Sequence, residues 1–186
     1  WIIRESGILW ENICLACLIM KSRKWRRSLL LHLHKEEFDD LAALTAEYVH
    51  IPVSAVRRDY YIVMILQQLE MSEYADLCVF KGGTSLSKCY PGTINRFSED
   101  IDLTFIPQED LGDKQYDRKL KQVEKVLSAG FHMEKINSER NNRNKSSWVW
   151  YEGEDRNSSQ IKSSCPHERV IPLKHRCHAS RGSCLC

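Results

Sequence analysis

Residues 80–88 read Phe-Lys-Gly-Gly-Thr-Ser-Leu-Ser-Lys, and residues 96–105 read Arg-Phe-Ser-Glu-Asp-Ile-Asp-Leu-Thr-Phe. The first stretch, with the apolar residues just before it, predicts a short strand that turns at two glycines into a helix. A glycine has no Cβ, so the backbone can turn sharply there and come close to a ligand. The second stretch predicts a strand over residues 100–105. We expect this strand, turn, helix and strand to form the centre of the fold.

The two stretches also predict a site for phosphate and metal. Thr84 or Ser85 is expected to cap the helix, whose free N–H groups would point at the turn and favour phosphate. The period of two along a strand places Asp100 and Asp102 on one face. Their mutual repulsion would be relieved by a divalent cation, and Mg²⁺ binds carboxylate oxygens together with substrate phosphate oxygens. The pattern therefore favours metal-assisted phosphoryl or nucleotidyl transfer.

Each half of this pattern is weak when taken alone. A Gly-Gly-Thr turn is usually only a turn, and an Asp-x-Asp strand is often a solvated edge. The two halves in this order form a much stronger signal. A P-loop is excluded, because no Gly-Lys pair followed by Ser or Thr occurs in the sequence.

The combined pattern resembles the catalytic signature of the nucleotidyltransferase superfamily. Its amino-acid sequence resembles that of the AbiEii/AbiGii toxin family within this superfamily. The resemblance covers about Glu36 to Lys162. It implies an α/β (α+β) nucleotidyltransferase-like core, with a small mixed sheet braced by helices. It also implies a toxin of a bacterial toxin–antitoxin or abortive-infection system. Such a toxin would transfer a nucleotide from an NTP to an RNA acceptor, notably tRNA, with Mg²⁺ as cofactor and a cognate antitoxin as partner.

The resemblance also implies roles for particular residues. Asp100 and Asp102 would be the catalytic residues and the Mg²⁺ ligands. The nucleotide-binding set would be Lys81, Gly82, Gly83, Thr84, Ser85, Lys88, Arg96 and Ser98. Arg96 keeps a second interpretation, in which it forms a structural salt bridge to Glu99 or Asp100.

Two other functions stay open at this stage. One is a catalytically dead remnant that still binds a nucleotide or an antitoxin partner. The other is an RNA-binding module, which is the weaker hypothesis because a basic patch does not require Asp-x-Asp. Arg140, Arg143 and Lys145 are expected in a polar hairpin loop before a strand over residues 148–151. The basic groups of that loop and the aromatic residues of that strand could receive an RNA end, although a solvated hairpin is the simpler interpretation.

Composition sets broad limits on the class of protein. The chain has 186 residues, a net charge of +2 and eight cysteines without regular spacing. We expect one domain in a reduced, cytoplasmic setting. The apolar run over residues 8–20 is too short to span a bilayer and lacks the basic start of a signal peptide, so no membrane association is expected.

Residues 1–34 do not resemble the family and are expected to be an appendage. Cys14-x-x-Cys17 has the spacing of half a zinc site, and the basic run over residues 21–27 is interpreted as solvated. Residues 35–162 would be the nucleotidyltransferase-like domain. Within it, helices are predicted over residues 38–49, from residue 54 to residue 69 with Ser54 as a cap, and over residues 111–129, with a strand over residues 131–136.

Residues 163–186 are expected to be an irregular tail that contains Cys and His. At this point the family resemblance would require a strand with a third carboxylate, of the type Lys-Leu-Glu-Ile-Gly, and the sequence has Ser163-Ser164-Cys165-Pro166-His167 instead. A shifted reading frame explains this change better than a zinc cluster. We therefore expect an unpaired sheet edge beside residues 148–151. We also expect little catalysis, unless Glu152, Glu154 or Asp155 replaces the missing carboxylate.

Overall fold

The computed structural model describes residues 31–89, 97, 99–106 and 111–167. The helices in this part are α1 (Lys35–Val49), α2 (Val53–Glu70), α3 (Gly82–Cys89), α4 (Asp113–Leu127) and the short α5 (Arg156–Ser159). The strands are β1 (Cys78–Lys81), β2 (Asp100–Phe105), β3 (His132–Lys135), β4 (Asn144–Trp150) and β5 (Ile161–Pro166). The long helices and most of the predicted strands thus lie where the sequence pattern placed them.

The strands form one mixed sheet in the order β1-β2-β5-β4-β3. β2 pairs with β5 in parallel, and the other neighbouring pairs are antiparallel. The parallel pair is possible because the chain between β2 and β5 crosses back through α4 and the β3–β4 hairpin. The predicted small mixed sheet braced by helices is confirmed.

The core lies between one face of the sheet and the helices α2 and α4. Ile62, Ile65 and Leu69 of α2 are fully buried, as are Leu120 and Val123 of α4. They belong to one cluster with the inward side chains of the sheet, which are Cys78, Phe80, Ile101, Leu103, Phe105, Val149, Ile161 and Cys165. The alternation of apolar residues along β2 and β5 therefore assigns one sheet face to the core and leaves the other face for a site.

The predicted helix caps are wrong. α2 begins at Val53 directly after Pro52, so Ser54 lies inside the helix. α3 begins at Gly82, so Thr84 and Ser85 lie in its first turn, where their hydroxyls bond to backbone oxygens. α2 thus follows Pro52, whose ring fixes φ, and α3 begins at Gly82, which can adopt the positive φ of the turn.

The expectation that no strand follows Lys162 is also wrong. β5 continues to Pro166 and lies between β2 and β4, so the predicted unpaired edge beside residues 148–151 does not exist. Cys165 is 2% exposed and part of the core. The neighbouring Cys78 thiol and burial raise the pKa of Cys165 well above its usual value, so Cys165 is a neutral thiol in the apolar layer.

The basic residues 140–145 do not form a solvated hairpin loop. Arg140 donates to the Glu124 carboxylate of α4, with both side chains close to nine-tenths buried. Lys145, in β4, lies 2.7 Å from Asp117 of α4, and Arg143 pairs with Asp113 at the surface. These residues therefore fasten the β3–β4 hairpin to α4, and the alternative that they receive an RNA end is not supported by their contacts.

The residues just before α1 belong to the core. Leu31 is 7% exposed, and His32 contributes a hydrogen bond of 3.0 Å with the Tyr60 hydroxyl. Burial lowers the pKa of His32. Within the described residues, no helix has the length and apolar character needed to cross a membrane.

Candidate active site

Asp100 and Asp102 lie on the face of the sheet opposite α2 and α4, which we call the aspartate face. Both side chains are partly exposed, whereas Ile101 and Leu103 between and beyond them are fully buried. The register places Lys81 of β1 and Ser164 of β5 on either side of Asp102, and Lys162 of β5 beside Asp100. The prediction that the two aspartates share one face is confirmed.

Gly82 brings the N-terminus of α3 against the Asp102 carboxylate. The residue has a φ of +81°, a conformation that side chains rarely adopt. A Cβ at this position would lie 2.8 Å from Oδ2 of Asp102, which is too close for any carbon atom. The positive φ therefore favours glycine here, and any side chain at this position would also displace the Asp102 carboxylate.

Thr84 fixes the same helix to the strand that carries the aspartates. Its Oγ1 donates a 2.9 Å hydrogen bond to the backbone oxygen of Asp100, and the residue is 4% exposed. Ser85 Oγ donates to the Gly82 oxygen at 2.9 Å, and Ser87 Oγ donates to the Thr84 oxygen at 3.0 Å. The hydroxyl of Thr84 thus has a structural role, which leaves the backbone N–H groups of the first turn as the donors available to a ligand.

The other predicted nucleotide-binding residues fall into two groups. Gly83, like Gly82, belongs to the first turn of α3. Arg96, Ser98 and the side chain of Lys88 lie outside the described residues, so their predicted roles stay predictions. Glu99 is one of the two residues predicted to form a structural salt bridge with Arg96. Its carboxylate lies 3.4 Å from the Arg58 guanidinium of α2.

Two of the three acidic residues considered as replacements for a third carboxylate, Glu154 and Asp155, are engaged elsewhere, and Glu152 is exposed in the turn after β4. Glu154 accepts hydrogen bonds from Arg57 and from the Tyr61 hydroxyl of α2, so it lies on the helical side of the sheet. Burial raises the pKa of Tyr61, and the negative charge of Glu154 raises it further. Asp155 accepts a bond from the backbone N–H of Ser158 as the cap of α5.

The donor set of the aspartate face fits a hard cation that also binds phosphate. It offers two carboxylates, beside the positive end of a helix dipole that attracts anionic groups. Mg²⁺ keeps several water or phosphate ligands and needs only one or two carboxylates from the protein. Among the described residues, no group of three or more His, Cys, Asp or Glu side chains could hold a metal alone. The site therefore suits a metal that arrives with a phosphate ligand.

Sequence reasoning missed two features of the aspartate face. Ser164 stands next to Asp102 in the sheet, because β5 forms with a sequence of small polar residues. Trp148 lies on this face as well. Lys145 and Ser147 of the same strand bond to α4 on the opposite face, and side chains alternate between faces along a strand. The alternation of β4 between residues 145 and 150 could have revealed the second feature.

Comparisons with known proteins identify a matching family and a similar solved structure. The family model described as "Nucleotidyl transferase AbiEii toxin, Type IV TA system" matches residues 64–162, which is more than half of the chain. Among solved structures, the chain is similar to MenT4, a nucleotidyltransferase toxin from Mycobacterium tuberculosis, with 23% sequence identity and a TM-score of 0.48. The match covers 69% of this chain and 43% of MenT4, so the chain spans less than half of that toxin's length. Comparison with curated protein sequences finds no match.

Proposed function

The chain belongs to the nucleotidyltransferase AbiEii toxin family of type IV toxin–antitoxin systems, and we propose that its aspartate face binds an NTP with Mg²⁺ for nucleotide transfer to RNA. One observation carries this proposal. The N-terminus of α3 meets the Asp102 carboxylate at Gly82, where a Cβ would lie 2.8 Å from Oδ2 of Asp102. The backbone N–H groups proposed to bind phosphate and the carboxylate proposed to bind the metal thus lie next to each other.

Each part of the site has a physical role in the proposal. The N–H groups of the first turn of α3 would donate hydrogen bonds to the triphosphate, whose negative charge the helix dipole favours. Lys81, beside Asp102 in the register, would add positive charge. Asp100 and Asp102 would hold Mg²⁺, which supplies neutralisation of the triphosphate charge and alignment of the transferred phosphoryl group. Arg96, Ser98 and Lys88 complete the proposed nucleotide-binding set.

The acceptor in this proposal is RNA, with the tRNA 3′ end as the first candidate, and a cognate antitoxin would inhibit the toxin. The family model supports a toxin–antitoxin pair. A cytoplasmic setting follows from the proposal, because NTP, tRNA and antitoxin would meet there. The buried free thiols Cys78 and Cys165 support a reduced compartment.

The alternative function is a remnant that binds nucleotide without transferring it. The observation that favours it is Ser164, which stands beside Asp102 where a third carboxylate would have to act. A carboxylate in that position could deprotonate or align the attacking hydroxyl, and a serine hydroxyl is a poor base at neutral pH. We therefore propose that this chain retains binding and has little transfer activity of its own.

The experiment that tests the proposed function compares transfer by four proteins. The 186-residue chain and its Ser164→Glu, Ser164→Gln and Ser164→Glu/Asp100→Ala variants are incubated with Mg²⁺, tRNA and each of the four NTPs labelled at the α-phosphate. Label in the RNA with Ser164→Glu only, and its loss in the double variant, supports the transferase. Transfer that persists without Asp100 would overturn the assignment of the aspartate face.

A further inference from the structure

Two tryptophans lie on the aspartate face, in the strand two positions away from β2. Trp148 and Trp150 of β4 alternate with Lys145, Ser147 and Val149, which point into the core. Both indoles are partly exposed. Large aromatic side chains placed on the side of a sheet opposite its core are available for contact with a ligand rather than needed for the core.

Trp148 stands in the same row of the sheet as Asp100. The register links Asp100 to Lys162 of β5, and Lys162 to Trp148 of β4. Two steps between neighbouring strands cover roughly 10 Å. The indole and the carboxylate are therefore close enough to contact neighbouring groups of a single nucleic-acid strand.

Basic side chains, two of them paired with glutamates, lie next to the two tryptophans. The Arg156 guanidinium lies 4.9 Å from the ring centre of Trp150, and the His132 ring lies 5.7 Å from it. Glu134, the register partner of Trp148, is paired with Arg156. Lys162 lies between Trp148 and Asp100 in the sheet, and its ammonium group lies 2.8 Å from the Glu139 carboxylate. Aromatic rings next to cationic groups are the usual components of surfaces that bind single-stranded nucleic acid.

We propose that Trp148 and Trp150 form a stacking surface for unpaired bases of the acceptor RNA. This inference rests on the proposed function, because it assigns the acceptor strand to a region of the same site. It adds the side from which the RNA approaches and the two residues that contact its bases.

The geometry of phosphoryl transfer favours the acceptor over the NTP base as the occupant. The attacking and leaving oxygens lie roughly in line on opposite sides of the transferred phosphorus. The N-terminus of α3 lies on the β1 side of Asp102, so the phosphates of the leaving group belong on that side. The tryptophans lie on the opposite side, beyond β5. The attacking hydroxyl and the strand that carries it then approach over β5 and β4.

The test measures binding of a fluorescently labelled single-stranded RNA hexamer by anisotropy, without NTP or Mg²⁺. Stacking of one base on an aromatic residue contributes enough that Trp148→Leu should raise the Kd about 5- to 150-fold. Trp148→Phe keeps an aromatic surface and should change the Kd by only a few fold. Trp150→Leu should weaken binding in the same direction and serves as the second variant should Trp148→Leu fail to fold.

Tyr48→Leu is the matched control, because Tyr48 is an aromatic residue of α1 that is 85% exposed, away from the aspartate face. It should leave the Kd for RNA unchanged. ATP binding in the presence of Mg²⁺ is measured with the same proteins and should be the same in wild type and Trp148→Leu.

The outcomes separate this inference from the proposed function. A loss of RNA binding in folded Trp148→Leu, with ATP binding and the Tyr48→Leu control unchanged, supports the stacking surface. An unchanged Kd for RNA, a loss of ATP binding alone, or a wild type that does not bind the hexamer would overturn it. Absence of label transfer by Ser164→Glu, with normal, tryptophan-dependent RNA binding, would contradict the proposed function and leave the stacking surface in place.

Discussion

Ser164 is the partner of Asp102 in the parallel pairing of β2 and β5. The two residues occupy neighbouring strands, lie in the same row and point to the same face of the sheet, since both are partly exposed and both alternate with buried residues. A carboxylate at position 164 would therefore stand beside Asp102, where it could act as a base or as an additional metal ligand.

This relationship predicts a gain of function. Ser164→Glu should raise the rate of nucleotide transfer by about 10²- to 10⁴-fold over the unmodified chain, which is the usual contribution of a general base. The measurement is the initial rate of label incorporation into RNA. Ser164→Gln is the control with the same shape and no charge, and equal rates for Glu and Gln would show that position 164 is not the missing base.

Gly82 provides a test of the contact between α3 and Asp102. Gly82→Ala should lower the free energy of unfolding by about 1–2 kcal/mol because of its φ of +81°. It should also weaken binding of the NTP with Mg²⁺, because the new Cβ displaces the Asp102 carboxylate. The measurements are urea unfolding and isothermal titration calorimetry.

Gly153→Ala is the matched control for this prediction. Gly153 has a φ of +85°, but nothing lies within 4 Å of the position of its Cβ. Gly153→Ala should show the loss of stability without a change in nucleotide affinity. Equal nucleotide affinity in Gly82→Ala and wild type would show that the contact with Asp102 does not shape the site.

The Arg140–Glu124 pair should be a main determinant of the stability of the hairpin. Burial raises the pKa of Glu124, but hydrogen bonds from Arg140 and Ser147 outweigh this effect, so the net pKa is lowered and the carboxylate is charged. Arg140→Met leaves that charge buried without its partner and should cost about 3 kcal/mol in urea unfolding.

The double variant Arg140→Met/Glu124→Leu removes both charges and should recover part of this loss. RNA binding by the same two variants distinguishes a structural role of Arg140 from a role in RNA binding. Arg140→Met should leave the Kd for the RNA hexamer unchanged under conditions in which the protein is folded. A neutral effect of Arg140→Met on stability would contradict the structural role of the pair.

Asp117 predicts how stability depends on pH. Hydrogen bonds from Lys121 and Lys145 lower the pKa of Asp117 to about 2, from its usual 3.8. Because the folded pKa lies below the unfolded one, the stabilisation is fully present above about pH 4 and is lost as the pH falls toward 2. Urea midpoints measured from pH 5 to pH 2 should fall less steeply in Asp117→Asn than in wild type. Asp40→Asn, at an exposed position of α1, should reproduce the wild-type slope.

The sequence predicted the parts of the fold that follow from local pattern. The glycine turn and the period of two along residues 100–105 placed Gly82, Asp100 and Asp102 correctly, because φ preference and strand alternation are properties of the residues themselves. The amphipathic pattern of residues 111–129 likewise predicted α4.

The remaining features depend on contacts between distant residues. β5 has the sequence Ile-Lys-Ser-Ser-Cys-Pro, which has weak strand propensity, and it forms because it fills the space between β2 and β4. The burial of Arg140 and Lys145 required knowledge of their partners on α4. Composition alone could only assign such a basic stretch to solvent.

The central claim is that Asp100 and Asp102 bind Mg²⁺ together with a nucleotide. Isothermal titration calorimetry of the 186-residue chain with Mg²⁺, in the absence and presence of a nonhydrolysable NTP, tests it most directly. Mg²⁺ should bind weakly alone and much more tightly with the nucleotide, because two carboxylates leave most of its octahedron to water and phosphate. Asp102→Asn should remove this coupling while the thermal unfolding midpoint stays close to that of wild type. Equal Mg²⁺ affinity in wild type and Asp102→Asn, in the presence of nucleotide, would contradict the account.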